Sequence, residues 1–432
     1  MYSAPSDPYD PHLLPRKPLA PRRWMYRVLE HKGNSEAFSI RFSQAAEHVE
    51  TGEMTKPTMA RFLCRIITDN RNIQNALEYL ASIPRASKHE AGVWTRLMRG
   101  RFRRCDGYSR QWREGRLRRG REYVRKIPKA NGSKREIVVQ LPVDRVFDRS
   151  CSQILSPALD STFRHNSWAY RPERGCWHAI KKARSLIKVG YTHWVSCDVR
   201  NAFGSVSIPR LLEVLYSRLP DEALVELIDK RLDGSPVKGL RQGSPLSALM
   251  LNLYLDHFLD RPWHERHPHC TLIRYADDIL IACHSKQEAK RCYRALVNLL
   301  RPLGMQLNET EAEAVIDLQR KPIEYLGFLL SEEDGKTKAI IAPKGIEKFR
   351  CKLEEAMRKN KELQRSLIGW LSYVGPAYLW HDRPGLFREV RDLFSALGRT
   401  SEMLSEQKFN AVWKAAHKRY RKLRIHFYEV EV

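Results

Sequence analysis

Apolar residues recur along the chain at two spacings, and each change of spacing marks a change of region. Between about 35 and 98 they fall at helical intervals, as at Ile66 and Ile73, which predicts a small helical region. From about 134 to 342, short β-prone runs alternate with helical patterns. Beyond about 344 the helical spacing returns, with basic residues on the polar faces. We therefore predict helices, then a mixed α/β region, then helices again.

Within the mixed region, four runs predict strands: THWVSCDV (192–199), TLIRY (271–275), ILIAC (279–283) and EYLGFLL (324–330). The stretches PLSALMLNLYLDHFLD and KQEAKRCYRALVNLLRPLG predict helices. Only Ala276, Asp277 and Asp278 separate the second and third strand runs. A gap this short predicts a tight antiparallel hairpin with the aspartates at its tip.

Charge points to a polyanionic partner. The 432 residues include 76 Lys and Arg against 50 Asp and Glu, a formal net charge of +26. Because basic residues recur along the whole chain, nucleic acid is a better match than a membrane surface. With 42% hydrophobic residues the chain can build a folded core.

The cysteines and the N-terminal stretch exclude several classes of protein. None of the nine cysteines forms a C-x-x-C pair, so neither a zinc ribbon nor a redox dithiol is supported, and we expect reduced, mostly buried thiols. Residues 1–22 are rich in proline, which predicts an extended segment rather than a signal peptide. No run approaches 18 apolar residues. We expect a cytoplasmic protein with no membrane partner.

A stretch dense in arginine and aromatic residues precedes the mixed region: RLMRGRFRRCDGYSRQWREGRLRRGREYVRKIPK. Arginine binds phosphates through two N–H groups and aromatic rings stack on bases, so this combination suits RNA or single-stranded DNA. The alternative is an exposed basic helix. The residues expected to contact RNA are Arg101, Arg103, Arg104, Arg110, Trp112, Arg118 and Arg119.

Three carboxylates suggest a metal site. An Asp-Asp pair alone fits a solvated turn as well as a functional site. A third carboxylate, Asp198, closes another β-prone run, and it faces Asp277 and Asp278 if the two elements lie side by side in one sheet. Hard oxygen ligands from adjacent strands suit a pair of magnesium ions about 3.5–4 Å apart, which clamp an in-line phosphoryl transfer.

These residues belong to a set of motifs. Four stretches, taken in order, resemble the palm motifs of reverse transcriptases of the group II intron and retron-like superfamily: CDVRNAF, GLRQGSPLSALMLNLYL, YADD and EYLGF. KREIVVQLPVDRVFDR and SWAYRPERG resemble the fingers motifs, so the resemblance covers roughly 125–345. It implies a right-hand polymerase with fingers, a palm whose antiparallel sheet carries the carboxylates, and a helical thumb. The expected domains are a basic helical N-terminal extension at 1–125, fingers and palm at 126–343 and a thumb at 344–432.

The resemblance assigns roles to single residues. Asp198, Asp277 and Asp278 correspond to the catalytic triad that binds two Mg²⁺ ions, with Mn²⁺ as a substitute, and the backbone carbonyl of Val199 is a further expected ligand. Phe203 matches the aromatic gate that excludes a ribose 2′-OH. Its alternative is a core phenylalanine at the start of a helix.

Other matches concern the nucleotide. Gln242 and Gly243 lie in the motif near the incoming nucleotide and template. Arg171 and Arg135 resemble the fingers residues that grip the triphosphate; either is alternatively a salt-bridge partner.

The sequence departs from the family pattern at two positions. Arg241 stands where relatives often have proline. Glu311 stands where many relatives have a lysine thought to protonate the leaving pyrophosphate, so general acid assistance has no assigned residue.

The resemblance implies an RNA-directed DNA polymerase that makes cDNA from dNTPs on an RNA template. Lacking the VTG and NAxxH motifs of retrons, the chain is most similar to the defence-associated reverse transcriptases, type 2 among them, which copy a dedicated noncoding RNA as an antiphage response. The alternatives are a general or mobile-element reverse transcriptase, an RNA-directed RNA polymerase, a template-independent transferase, and a catalytically silent RNA-binding scaffold.

Overall fold

The computed structural model describes residues 56–422, apart from 84–87, 129–133, 161, 173, 334, 359–361 and 379–381. The predicted extended segment at 1–22 and the first part of the predicted helical region, 35–55, lie outside the described residues.

The α-helices, numbered in chain order, are α1 (Lys56–Ile67), α2 (Asn70–Ser82), α3 (Lys88–Met98), α4 (Arg101–Arg113), α5 (Pro142–Asp160), α6 (Cys176–Lys188), α7 (Ala202–Ser205), α8 (Ile208–Arg218), α9 (Glu222–Leu232), α10 (Pro245–Leu255), α11 (Arg261–Arg266), α12 (Lys286–Leu300), α13 (Glu311–Ala314), α14 (Pro343–Arg358), α15 (Leu363–Val374), α16 (Arg383–Ala396) and α17 (Glu406–Arg421). The strands are β1 (Tyr123–Pro128), β2 (Lys134–Val139), β3 (His193–Asp198), β4 (Leu272–Tyr275), β5 (Asp278–Cys283), β6 (Val315–Asp317), β7 (Ile323–Tyr325), β8 (Phe328–Glu333) and β9 (Lys336–Ile341).

This order confirms the predicted α/β class with antiparallel sheets and helices on both flanks in sequence. Each of the four strand predictions falls on a strand, although EYLGFLL contains a turn and spans parts of both β7 and β8. The arginine-rich stretch is helical over α4 and becomes strand β1 near its end.

The chain divides into two compact units. The first contains the described residues up to Gly175, Val199–Arg266 and Asn298–Gln306; the second contains Cys176–Asp198, His267–Val297 and the described residues from Leu307 onward. These units do not follow the expected domain boundaries at 125/126 and 343/344, which stay predictions.

The second unit is built on two antiparallel sheets. One has the strand order β4-β5-β3-β6 and the other the order β7-β8-β9. β7 and β8 form a hairpin whose two turn residues, Leu326 and Gly327, have φ of 50° and 81°. Positive φ at both positions matches the right-handed twist of the flanking strands, so the EYLGF stretch is a hairpin.

An aromatic cluster packs the C-terminal helices onto this unit. Trp177 on α6 lies 4.9 Å from the Phe328 ring and 5.4 Å from the Tyr420 ring. Its indole Nε1 donates to the carbonyl of Tyr373 at 2.9 Å. The helical region beyond 344 is therefore anchored to α6 and β8 rather than separate from them.

In the first unit, α10 is the central helix. All eleven of its residues are buried, which explains why it is apolar on every side, with only Ser247 and Asn252 polar, in place of an amphipathic pattern. Ser244 caps its N-terminus, and Pro245 occupies the first turn, where a missing N–H costs nothing. The cap residue thus fixes the point within the RQGSPLS stretch at which the helix begins.

A buried ionic network also holds the first unit together. Arg231 on α9 contacts two carboxylates of α5, Asp148 at 2.7 Å and Asp144 at 3.2 Å. Arg241 and Arg119 extend the network to Glu122, at 2.7 and 2.6 Å. Arg241, the residue that departs from the family pattern, therefore anchors the loop before α10 through a buried ion pair.

The charges in this network depend on one another. Burial alone would raise the pKa of the Asp148 carboxyl, but Arg231, Arg119 and hydrogen bonds from Gln140 and Ser244 lower it to about 2. A carboxyl with a lowered pKa stabilises the fold above its unfolded pKa, and the contribution is lost as the pH falls toward 2.

The described residues contain no helix with both the length and the apolar character required to cross a bilayer. All nine cysteines are free thiols, most of them buried, as the sequence predicted.

We expect Arg231→Met to lower the free energy of unfolding by about 3–5 kcal/mol, because it removes the cation that buried Asp144 and Asp148 share and leaves Asp148 with Arg119 alone. Urea denaturation measures the change. The neighbouring Lys230→Met is the control: Lys230 is exposed and pairs with exposed Glu226, so its loss should cost less than about 0.5 kcal/mol. Equal effects would show that the network contributes little.

Candidate active site

The register of β3 and β5 brings two of the three predicted carboxylates together. Asp198, the last residue of β3, lies directly opposite Asp278, the first residue of β5. The N–H and C=O of Asp198 bond away from β5, to Glu309 and Asn308, so this is a non-hydrogen-bonded pair. The Cα atoms of such a pair lie about 4.5 Å apart and the side chains share one face.

Asp277 occupies the tip of the hairpin between β4 and β5. Tyr275 pairs with Asp278, which leaves a two-residue turn of Ala276 and Asp277. Ala276 has φ of 57°, a left-handed conformation usually left to glycine. The predicted hairpin, with both aspartates at its tip, is confirmed.

Arg274 supplies a buried cation at the hairpin. Its side chain is fully buried, and its Nη1 donates to the carbonyl of Ala276 at 3.0 Å. A cation at this position offsets part of the repulsion between Asp277 and Asp278. This role is not predictable from the sequence, because Arg274 lies within the β-prone run TLIRY and only interrupts its apolar pattern.

A further carboxyl group, of Glu309, and a phenol, of Tyr325, lie beside the three aspartates. The Glu309 carboxylate accepts the Asp198 N–H at 2.9 Å; burial and the neighbouring Asp198 raise its pKa to about 7. The Tyr325 hydroxyl is buried and has no hydrogen-bond partner among the described residues. Burial, followed by the charge of Asp278, raises the pKa of this phenol. The raised pKa values favour the neutral forms of both groups beside Asp198 and Asp278.

The carboxylates of Asp198, Asp277 and Asp278 are suitable ligands for a hard divalent cation, although their side chains are not already arranged around a metal position. Among the described residues, no three His, Cys, Asp or Glu side chains form a ready-made metal cluster. Adjacent carboxylates repel without a cation, and the Asp198 Oδ2 accepts a hydrogen bond from Asn308 at 2.6 Å. The backbone therefore brings Asp198 opposite Asp278, and carboxylate oxygens are the ligands that Mg²⁺ prefers.

The loop that leads to Gln242 and Gly243 packs against Phe203 within the first unit. The Phe203 carbonyl accepts the N–H of Leu240 at 2.8 Å. Gly239 has φ of 68°, and a Cβ there would lie 2.5 Å from the same Phe203 oxygen. A glycine is thus required where the 239–243 loop crosses α7. Phe203 is 9% exposed, a burial that the core alternative also explains, so the gate assignment stays a prediction.

The Gln242–Gly243 segment runs along β2. Val138 donates its N–H to the Gln242 carbonyl at 3.1 Å. Gly243 has φ of 109°, and a Cβ there would lie 3.3 Å from the side chain of Ile137. Arg135, two residues before Ile137, is exposed.

Arg171 occupies a structural position. It is 2% exposed, and its guanidinium donates to the Asp160 carboxylate and the Arg164 carbonyl, both at 2.6 Å. These contacts occupy the groups that would grip a triphosphate. The prediction for Arg171 is corrected to its alternative, an ion-pair partner.

Two of the predicted RNA-binding residues also need correction. Trp112 is 9% exposed and packs on Phe147 at 4.9 Å, so its ring is not available to a base. Arg119 belongs to the buried ionic network, where it contacts Glu122.

The remaining RNA-binding candidates lie nearer the surface. Arg103, Arg104, Arg110 and Arg118 are exposed, and half-buried Arg101 pairs with Glu78 at 2.9 Å. Their contact with RNA stays a prediction.

Glu311 forms ion pairs with Arg294 and Lys290, at 2.8 and 4.0 Å. The hydrogen bond from Arg294 lowers the pKa of its carboxyl, which makes Glu311 a poor proton donor in this arrangement.

The comparisons with known proteins agree with the motifs. Residues 127–330, just under half of the chain, match the family model "Reverse transcriptase (RNA-dependent DNA polymerase)". The chain carries a reverse transcriptase domain. This domain includes Asp198, both aspartates of the hairpin, the β7–β8 turn and the whole β3–β5 pairing.

Relatives of the reverse transcriptase domain include intron-encoded proteins. The uncharacterized 91 kDa protein in the cob intron of Schizosaccharomyces pombe is 29% identical over 31% of this chain and 18% of its own length. The group II intron-encoded protein LtrA of Lactococcus lactis subsp. cremoris is 27% identical over 31% of this chain and 24% of its own. The chain thus spans less than a quarter of the length of these relatives.

Among solved structures, apo telomerase from Candida tropicalis is similar, with 12% identity, a TM-score of 0.43 and coverage of 71% of this chain and 64% of the telomerase chain.

We expect Gly239→Ala to destabilise the protein more than Gly234→Ala. Both glycines have positive φ, 68° and 64°, but a Cβ at Gly234 meets open space. Gly234→Ala should therefore cost only the backbone strain, about 1–2 kcal/mol, whereas Gly239→Ala adds a clash with Phe203 worth about 1–3 kcal/mol more. Thermal or urea unfolding of the two variants measures the difference, and equal losses would contradict the close packing of the loop on α7.

Proposed function

We propose that this chain is an RNA-directed DNA polymerase, which extends a primer with dNTPs on an RNA template and releases cDNA. The observation that carries the proposal is the register that sets Asp198 opposite Asp278, beside Asp277 at the hairpin tip. Its position inside the reverse transcriptase match supports the same activity.

Asp198, Asp277 and Asp278 are the residues that would hold two Mg²⁺ ions, or Mn²⁺ in their place. When bound, these ions supply activation of the primer hydroxyl and neutralisation of the charge on the triphosphate. The protein orients the carboxylates through the β3–β5 register, the hairpin turn and the buried Arg274 cation. This arrangement lets three like charges share one sheet edge until a cation binds.

Nucleotide selection is assigned to the first unit. The Phe203 ring leaves no room for a 2′-OH, and its position is fixed through the bond from Leu240 to its carbonyl. Gln242 and Gly243 would lie near the nucleotide and template. Exposed Arg135 is the candidate for phosphate binding.

The proposal also concerns the identity of the RNA template. The exposed arginines of α4 and the net charge of +26 suit an RNA backbone. The resemblance to defence-associated enzymes supports a dedicated noncoding RNA, copied in the cytoplasm during antiphage defence. Intron-encoded relatives support the competing assignment, a mobile-element enzyme.

We expect Asp278→Asn to reduce primer extension about a thousandfold or more, because a lost metal ligand removes several kcal/mol of transition-state stabilisation. The assay follows dNTP incorporation with Mg²⁺ on an RNA template annealed to a DNA primer. Asp317→Asn is the control, since Asp317 lies on β6 of the same sheet and pairs with Arg320 at 3.3 Å. Synthesis that survives Asp278→Asn, or that continues without template, would contradict the proposal.

We expect RNA that co-purifies with the chain from its native host to be one discrete species, with its DNA complement present. Sequencing of the bound nucleic acid, before and after incubation with dNTPs and Mg²⁺, makes the measurement. Heterogeneous RNA, with activity only on added primer and template, would reject the dedicated template and favour the mobile-element assignment.

A further inference from the structure

The loop before α13 holds Asp198 at three of its polar groups. Asn308 donates its backbone N–H to the Asp198 carbonyl at 3.0 Å, and its side-chain Nδ2 donates to the Asp198 Oδ2 at 2.6 Å. The Glu309 carboxylate accepts the Asp198 N–H at 2.9 Å. Two consecutive loop residues thus fix both the main chain and the carboxylate of one predicted metal ligand.

The loop itself is braced by a helix. The Tyr293 hydroxyl on α12 donates to the Glu309 carbonyl at 2.7 Å. A backbone fixed in this way lowers the backbone entropy that the loop must still lose when Asn308 binds Asp198. The contact between Asn308 and Asp198, although exposed, is therefore a feature of a supported loop.

The chemistry of the amide suits an orienting role. An ionised carboxylate only accepts hydrogen bonds, so the amide must present its NH₂ group to the Oδ2 of Asp198. Asn308 is neutral and leaves the negative charge of Asp198 available to a cation, whereas a lysine or arginine there would neutralise it. With Oδ2 engaged, Oδ1 is the oxygen left to face the pair formed with Asp278.

We propose that Asn308 is a positioning residue, which fixes the rotamer of the Asp198 carboxylate for divalent-metal binding. The inference rests on the proposed function, because it takes Asp198 as a metal ligand. Residues that orient metal ligands typically contribute 10- to 100-fold to metal affinity or activity.

The test measures Mn²⁺ binding to the full chain without nucleotide. Bound Mn²⁺ is quantified from the decrease of the free Mn²⁺ signal in electron paramagnetic resonance. Asn308→Ala removes the side-chain donor and keeps the backbone bond. We expect it to weaken Mn²⁺ binding roughly tenfold, with an unchanged unfolding midpoint. Gln306→Ala is the matched control, since Gln306 is exposed in the same loop and uses its backbone carbonyl to accept from Arg200.

The outcomes distinguish failure of the positioning role from failure of the proposed function. If the wild type binds Mn²⁺ at a site that Asp278→Asn removes, and Asn308→Ala binds equally well, the positioning role is wrong while the proposed function stands. If the wild type shows no such site, both fail. Should Asn308→Ala unfold, Asn308→Leu replaces it, because leucine has a similar shape and no donor.

Discussion

The antiparallel register between β3 and β5 is the constraint on which the site depends. A shift of one residue would turn Asp198 to the opposite face of the sheet from Asp278. Because residues on both strands are buried, an apolar pattern alone does not fix this register. The two-residue turn sets the register of β4 on β5, and the bonds from the 308–309 loop hold the end of β3, where Asp198 pairs with Asp278.

The same register creates an electrostatic problem that the surrounding residues reduce. In a chain of net charge +26, Asp198, Asp277, Asp278 and Glu309 gather at one edge of one sheet. Burial, followed by the neighbouring Asp198, raises the pKa of Glu309. Arg274 provides a buried cation and Asn308 a neutral donor, so the carboxylates are oriented while their charge is retained for a ligand.

The hairpin was predictable from local sequence, since two β-prone runs separated by three residues leave few alternatives. The motif resemblance added Asp198 to the predicted site. Contacts distant in sequence were not predictable: Asn308 lies 110 residues from Asp198. Composition also misassigned Trp112 and Arg119, because an arginine-rich aromatic stretch does not reveal which side chains face inward. Both are buried against α5 or its ionic network.

The most direct test of the account is the location of Mn²⁺ in crystals of the protein, by anomalous diffraction at the manganese edge. We predict manganese bound to carboxylate oxygens of Asp198 and Asp278, with Asn308 still bonded to the other oxygen of Asp198. Ordered Asp198 and Asp278 side chains with no manganese between them, at saturating Mn²⁺, would contradict it.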